Sequence, residues 1–247
     1  MKNAARSKRG LKPLALVTGG ASPLGSAISR ALAQAGYDLV LHYGSSKART
    51  LELADELRGS GTKVFLLQAD LRKPASLARA LARGPRDLSR TSLLVNNASF
   101  FGPTPAFNEK AWDAILHINL LSPYALSEAL RPQLQNNQGS VVNITDIYGA
   151  HPLLKDHPAY CASKGGLITL TRFMASQWGP GVRVNGVSPG VISFPAHYGA
   201  AKKKKLAEKS ALKRGGSPQD IARAVLYLAE QPFVTGQILN VDGGRFL

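Results

Sequence analysis

Short apolar runs alternate with stretches of helical spacing from Leu14 to the end of the chain, and this alternation restricts the fold more than any other feature. Leu14–Thr18 is an apolar run that ends in Gly19-Gly20. After it Leu24, Ile28 and Leu32 recur every four residues, the period of one helix face. Gly36 stops that helix. The same reading predicts strands over Asp38–His42, Lys63–Gln68, Leu93–Asn96, Ser140–Ile144, Arg183–Val187 and Gln237–Val241. It predicts helices over Lys47–Arg58, with Ser46 as N-cap, and over Pro74–Arg83, Ala159–Trp178 and Pro218–Ala229. A long helical stretch covers Glu109–Gln135, where Pro123 and Pro132 are expected to interrupt it.

Strands that alternate with helices imply a parallel sheet covered on both faces. Right-handed crossovers put all strand C-terminal ends on one edge, where such folds bind their ligands. The expected fold is therefore α/β: a Rossmann-like, doubly wound parallel sheet of about seven strands with helices on both faces. No internal repeat or composition break marks a second domain. Residues 13–247 are expected as one domain behind a basic, solvated tail, residues 1–12, which has almost nothing to bury.

A hydrophobic share of 44% is enough for a sizeable core. No apolar run reaches the ~18 residues of a membrane helix, and the basic start lacks the apolar stretch of a secretory signal. The single cysteine, Cys161, excludes an internal disulfide and offers no metal-site spacing. A soluble, cytoplasmic protein without a metal is expected. The formal charge of +16 attracts anionic ligands. The basic residues are spread, apart from the tail and Lys202–Lys205, and no zinc-finger spacing, RNP-like motif or helix-turn-helix is present, so no specific nucleic-acid partner is expected. Lys202–Lys205 reads as a solvated helix face; attraction of an anionic substrate or acyl carrier is the alternative.

The first strand leads into Thr18-Gly19-Gly20-Ala21-Ser22-Pro23-Leu24-Gly25. Such a turn brings backbone N–H groups and a helix N-terminus up to a pyrophosphate. The second strand ends His42-Tyr43-Gly44-Ser45-Ser46-Lys47 without the acid that would bind a ribose diol and repel a 2′-phosphate. Two hydroxyls, a lysine and a helix N-terminus converge there, which favours NADPH; capping of the helix by Ser45 and Ser46 is the other reading, and the two are compatible. Further along, Tyr160 and Lys164 stand one helical turn apart. A nearby ammonium favours phenolate, so Lys164 is expected to lower the Tyr160 pKa and make it a proton donor–acceptor.

These elements resemble the short-chain dehydrogenase/reductases. The glycine-rich turn is similar to that family's T-G-x-x-x-G-x-G, with Pro23 at its middle glycine. Asn96-Asn97-Ala98-Ser99 resembles N-N-A-G, Tyr160-Cys161-Ala162-Ser163-Lys164 resembles Y-x-x-x-K, Pro189-Gly190 resembles the pair after the sixth strand, and Val241-Asp242-Gly243-Gly244 the C-terminal signature. The resemblance implies a homotetramer and cofactor contacts from Gly19, Ser22, Leu24, Gly25, Tyr43, Ser45, Ser46, Asp70, Leu71, Asn97, Ala98, Ser99, Tyr160, Lys164, Pro189 and Gly190. It also implies catalytic roles for Tyr160, Lys164 and Asn119, the last on a water-linked proton path.

Alignment on Gly149 puts Asp146 where most of the family has a catalytic serine. With Leu41-His42-Tyr43 and Asn97-Ala98-Ser99-Phe100-Phe101-Gly102-Pro103-Thr104-Pro105, this resembles the pteridine reductase and dihydropteridine (dihydromonapterin) reductase branch. That implies a pterin substrate, possible folate activity, stacking on Phe101, and substrate contacts from Ser99, Asp146 and Tyr160. A carboxyl buried near Tyr160 is expected to have a raised pKa. Capping of a turn by Asp146, with Thr145 in the serine's role, stays open. So do a 3-oxoacyl thioester or ketone reductase and a polyanion-binding protein on a reductase fold. Pro23 lacks the arginine usual in the pterin branch, and the loop His151–Pro158 is one residue longer. Val191–Lys213 is expected to close over the substrate.

Overall fold

The computed structural model describes residues 11–192 and 199–247. Within them lie strands β1 (Leu14–Val17), β2 (Asp38–Tyr43), β3 (Val64–Gln68), β4 (Thr91–Asn96), β5 (Ser140–Ile144), β6 (Arg183–Pro189) and β7 (Ile238–Val241). Helices α1 (Pro23–Gln34), α2 (Lys47–Gly59), α3 (Pro74–Ala82), α4 (Glu109–Leu116) and α5 (Ser122–Asn136) precede α6 (Ile147–Ala150), α7 (Pro158–Trp178), α8 (Ala200–Ala207) and α9 (Pro218–Glu230). The seven strands form one parallel sheet in the order β3-β2-β1-β4-β5-β6-β7. The order reverses beside β1, between β2 and β4, and folds of this kind bind their ligands at the strand C-terminal ends there.

Both faces of the sheet are covered, which is why β1 reads as a continuous apolar run and β2 is buried along its whole length. On one face Ile28 and Leu32 of α1 and Ile221, Val225 and Leu228 of α9 pack on Val17, Leu39, Leu41 and Val187. On the other, Leu126, Leu130 and Leu134 of α5 and Met174 and Trp178 of α7 pack on Leu16, Leu94, Val141 and Val184. Each such side chain contributes about 1.5–3 kcal/mol by leaving water. Ser217 and Asp220 close a reciprocal capping box at the start of α9.

The expected long helix is two helices joined by a π-helical turn, His117–Leu121. Pro123 has no N–H to give the carbonyl four residues back, that of Asn119, and its ring crowds that carbonyl. The helix widens there, and Asn119 lies inside the widened turn. Pro132 sits within α5 without ending it. Residues 1–10 of the expected tail lie outside the described residues. Lys12 belongs to the fold: its carbonyl accepts from Arg90 at 2.7 Å and its Nζ donates to the Gly61 carbonyl at 3.1 Å. No helix among the described residues is long and apolar enough to cross a membrane.

Candidate active site

The glycine-rich turn joins β1 to α1 at the switch point. Gly19 has φ +60°, and a Cβ on Gly25 would stand 2.1 Å from the Gly19 carbonyl oxygen, so the turn closes only with hydrogen at that position. Ser22 caps α1: its Oγ accepts from the Gly25 N–H at 3.0 Å and from Asn97 Nδ2 at 3.3 Å. Its own hydroxyl proton is left to donate. Pro23 fills the first helical position, and Leu24 carries the first-turn N–H that this cap does not meet. The Asn97 amide is spent inside the turn, on the Thr18 and Gly19 carbonyls and on Ser22. Thr18 Oγ1 accepts from the Asn97 and Ala98 amides, at 2.9 Å each, which fastens β4 to the turn. A bare backbone cradle, a helix N-terminus and a free hydroxyl proton suit a pyrophosphate.

At the end of β2, Tyr43 is buried while Ser45, Ser46 and Lys47 are exposed. Ser46 makes no side-chain cap bond to α2, contrary to the expected capping, because its backbone leaves the extended range that an N-cap uses (φ −81°, ψ 50°). Its hydroxyl remains available. Asp70, beyond β3, is held by Arg72 through two 3.0 Å bonds, which keep its carboxyl below the usual range. Leu71 is buried, and its carbonyl accepts from Ser122 Oγ.

The side chains expected to be catalytic gather at the end of β5 and the start of α7. The Tyr160 hydroxyl donates to Asp146 Oδ2 at 2.7 Å, and Asp146 Oδ1 accepts from the Tyr148 N–H at 2.9 Å. Asp146 therefore both caps α6 and meets the tyrosine. Thr145 does not take the serine's role: its hydroxyl donates to the Val187 carbonyl at 2.9 Å, and it is buried in the sheet. A Cβ on Gly149 would stand 2.7 Å from the Lys164 carbonyl carbon, so α6 can lie this close to α7 only with glycine there.

Burial raises the Asp146 pKa, as expected, against hydrogen bonds from Tyr148 and Tyr160 and the Lys164 charge. The expected lowering of the Tyr160 pKa is overturned. Burial and the adjacent Asp146 carboxylate push it well above its ordinary value. Lys164 Nζ donates to the Ile144 carbonyl at 2.8 Å and stands 5.7 Å from the Tyr160 ring centre, while the Asp146 carboxylate takes the Tyr160 hydroxyl directly. Burial lowers the Lys164 pKa to about 8.

Asn119 ties the loop after β4 to α7. Its Oδ1 accepts from the Phe100 N–H at 2.7 Å and from Ser99 Oγ at 3.2 Å; its Nδ2 donates to the Phe100 carbonyl at 3.0 Å and to Ser163 Oγ at 3.1 Å. The side chain is thus fully committed, and its backbone carbonyl is the group that Pro123 leaves without an i+4 donor. Phe101 stands edge-on to Tyr160, with ring centres 4.8 Å apart, and stacks on His157 at 4.6 Å. It is 58% exposed. Thr104, buried, takes the Asp156 carbonyl at 2.7 Å and the Ala159 N–H at 3.4 Å, pinning this loop to the start of α7. Thr104, His157 and Ser163 hold this arrangement, and no local sequence pattern marks them.

Pro189 and Gly190 end β6. Gly190 lies against Asp242, and its N–H reaches the Val241 carbonyl at 3.1 Å, which gives the C-terminal signature its place beside them. Of the expected closing segment, residues 193–198 and the side chains of Lys202 and Lys203 lie outside the described residues. Lys204 and Lys205 are exposed on α8.

Residues 19–245 match the family model described as enoyl-(acyl carrier protein) reductase. A Streptomyces violaceoruber protein named for ketoacyl reduction in granaticin polyketide synthesis is 34% identical over 95% of this chain and 96% of its own length. The 3-oxoacyl-[acyl-carrier-protein] reductase FabG of Staphylococcus epidermidis is 30% identical over 94% and 98%. Among solved structures, the blue fluorescent protein from a metagenomic library in complex with NADPH superposes with TM-score 0.88 at 31% identity, over 96% of this chain and 99% of that one. FolM alternative dihydrofolate reductase 1 of Brucella canis, complexed with NADP, gives 0.82 at 32% identity, over 94% and 93%. These two sequence relatives are named as ketoacyl reductases, and the FolM structure as a dihydrofolate reductase. The chain belongs to the short-chain dehydrogenase/reductase family.

Proposed function

We propose that this protein is an NADPH-dependent reductase of a C=N bond in a pterin ring, a dihydropteridine or dihydrofolate. The observation that carries the reading is the 2.7 Å bond from the Tyr160 hydroxyl to Asp146. A carbonyl reductase needs donors on the substrate oxygen, and a carboxylate beside that oxygen opposes the growing negative charge. A pterin presents N–H and amino donors, which a carboxylate accepts well. Phe101, exposed beside Tyr160, supplies a face for a flat heteroaromatic ring.

Gly19, Ser22, Leu24, Gly25, Ala98, Pro189 and Gly190 would hold the dinucleotide, Ser45, Ser46 and Lys47 its 2′-phosphate, and Lys164 its nicotinamide ribose. NADPH supplies the hydride. Tyr160, kept neutral by burial and by Asp146, gives its proton to the ring nitrogen. Asp146 anchors the substrate's N–H groups, and Phe101 fixes the ring plane for transfer. Lys164 would return a proton to the phenolate through a water, and the Asn119 carbonyl would accept a hydrogen bond from that water and hold it in place.

A second reading, reduction of a 3-oxoacyl thioester, is favoured by the relatives named for that reaction. A spectrophotometric panel of dihydrobiopterin, dihydromonapterin, dihydrofolate and acetoacetyl-CoA, with NADPH and with NADH, separates the two. Pterin-dependent NADPH oxidation is expected; turnover of acetoacetyl-CoA alone would replace the pterin reading by the second. The exposed Leu121 and Phe173 support assembly as a homotetramer, which light scattering of the purified protein tests.

A further inference from the structure

We infer that His42 is a positioning residue for the dinucleotide site: its imidazole joins the Gly19 N–H to the Ala69 carbonyl and so fixes the glycine-rich turn against the end of β3, next to Asp70. Gly19 offers a donor and Nδ1 stands 3.3 Å from it; Ala69 offers an acceptor and Nε2 stands 3.1 Å from it. A backbone N–H can only donate and a carbonyl can only accept. The two contacts therefore select one neutral tautomer, with the proton on Nε2 and a bare Nδ1. The imidazolium form would turn an N–H toward the Gly19 N–H. His42 is 2% exposed, and burial holds its pKa down to about 4.

The same residue grips the turn a second time, because its backbone carbonyl accepts from the Gly20 N–H at 3.1 Å. Two successive amides of the turn are thus tied to one residue of β2. Gly19 is the residue with φ +60° whose carbonyl Gly25 approaches, so a shift of its amide tilts the start of α1. Ala69 directly precedes Asp70. One ring therefore spans from the pyrophosphate turn to the end of β3. Removal of the ring leaves a donor and an acceptor buried without partners, and the turn is free to relax away from the geometry a phosphate needs.

The inference rests on the NADPH reading. The test titrates wild type, His42→Phe and His42→Asn with NADPH by its fluorescence, alongside unfolding of the cofactor-free proteins. His42→Phe is expected to bind NADPH about tenfold more weakly, while turnover at saturating NADPH stays within about twofold. His42→Asn, which keeps an acceptor for Gly19, is expected to recover most of the affinity. Equal binding by wild type and His42→Phe overturns the clamp alone; failure of the wild type to bind NADPH overturns the clamp and the cofactor reading together. Should His42→Phe not fold, the imidazole ¹⁵N shifts of the wild type decide. A proton on Nε2 at neutral pH supports the clamp, and a proton on Nδ1 overturns it.

Discussion

The Tyr160 hydroxyl and Asp146 Oδ2 are joined at 2.7 Å across fourteen residues of chain. The carboxylate also caps α6, so its direction is fixed from both oxygens. Burial first, and then this contact rather than the Lys164 spacing, raise the pKa of the tyrosine. Replacing Asp146 by serine removes the acceptor for substrate N–H groups and introduces a donor. Asp146→Ser is expected to lose about 10²-fold in pterin turnover and to gain activity on acetoacetyl-CoA. Steady-state rates on both substrates check this, and unchanged pterin turnover would remove Asp146 from the mechanism.

Burial raises the Asp146 pKa, which means the folded state binds that proton more tightly than the unfolded chain does. Above the raised value the ionised carboxylate therefore costs stability; the cost disappears as pH falls through it. Asp146→Asn keeps one acceptor, Oδ1, for the Tyr148 N–H, turns an amide N–H donor toward the Tyr160 hydroxyl, and carries no charge. It is expected to melt at or above the wild-type temperature at neutral pH while losing pterin turnover. Melting curves at neutral and mildly acidic pH check the sign: the advantage of the variant must shrink as pH falls.

Phe101 is over half exposed, so truncation to alanine is expected to change stability by less than about 0.5 kcal/mol. If the ring carries the substrate's flat face, Phe101→Ala lowers kcat/KM for dihydrobiopterin by about tenfold, the size of one aromatic contact. Acetoacetyl-CoA, which has no ring in the reacting group, is the control. Equal losses on both substrates would rule out stacking.

Most elements were legible because they are written locally. An apolar run between Pro13 and Gly19 gives β1, and the period of Leu24, Ile28 and Leu32 gives α1, each within a residue or two of its observed ends. What was not legible is what depends on distant partners. His42 reads as one polar residue in an apolar strand, and its partners lie 23 and 27 residues away. Thr104 reads as a loop residue, yet its hydroxyl meets Ala159, 55 residues on. The Tyr160 and Lys164 spacing reads as a direct pair, but the Lys164 ammonium turns to the Ile144 carbonyl, and only the fold brings Asp146 to the Tyr160 hydroxyl.

The π-helical turn at Asn119 follows from a missing N–H at Pro123. Pro123→Ala restores that N–H and lets the Asn119 carbonyl close an ordinary helical bond. The helix is expected to gain stability or stay unchanged, while the carbonyl is withdrawn from the proton path. Turnover is then expected to fall about tenfold with KM for NADPH unchanged. A fall in stability with turnover intact would show that the widened turn has no part in catalysis.

His42 gives the clearest pH signature. In the unfolded chain its pKa is 6.5, and in the fold it is about 4. Above pH 6.5 neither state carries the proton; as pH falls toward about 4 the unfolded chain takes it up and the folded protein does not. Stability therefore declines over that window, by roughly 3 kcal/mol in total. Carboxylates held low by arginine partners, such as Asp70 beside Arg72, also lose stability toward acid, but that loss is common to wild type and variant. The difference between wild type and His42→Asn isolates the imidazole. Urea unfolding at about pH 7 and about pH 4.5 is expected to show the wild type ahead at the higher pH and the gap narrowing or reversing at the lower. A gap that stays constant between the two would mean that the ring titrates alike in both states and is not held neutral by burial.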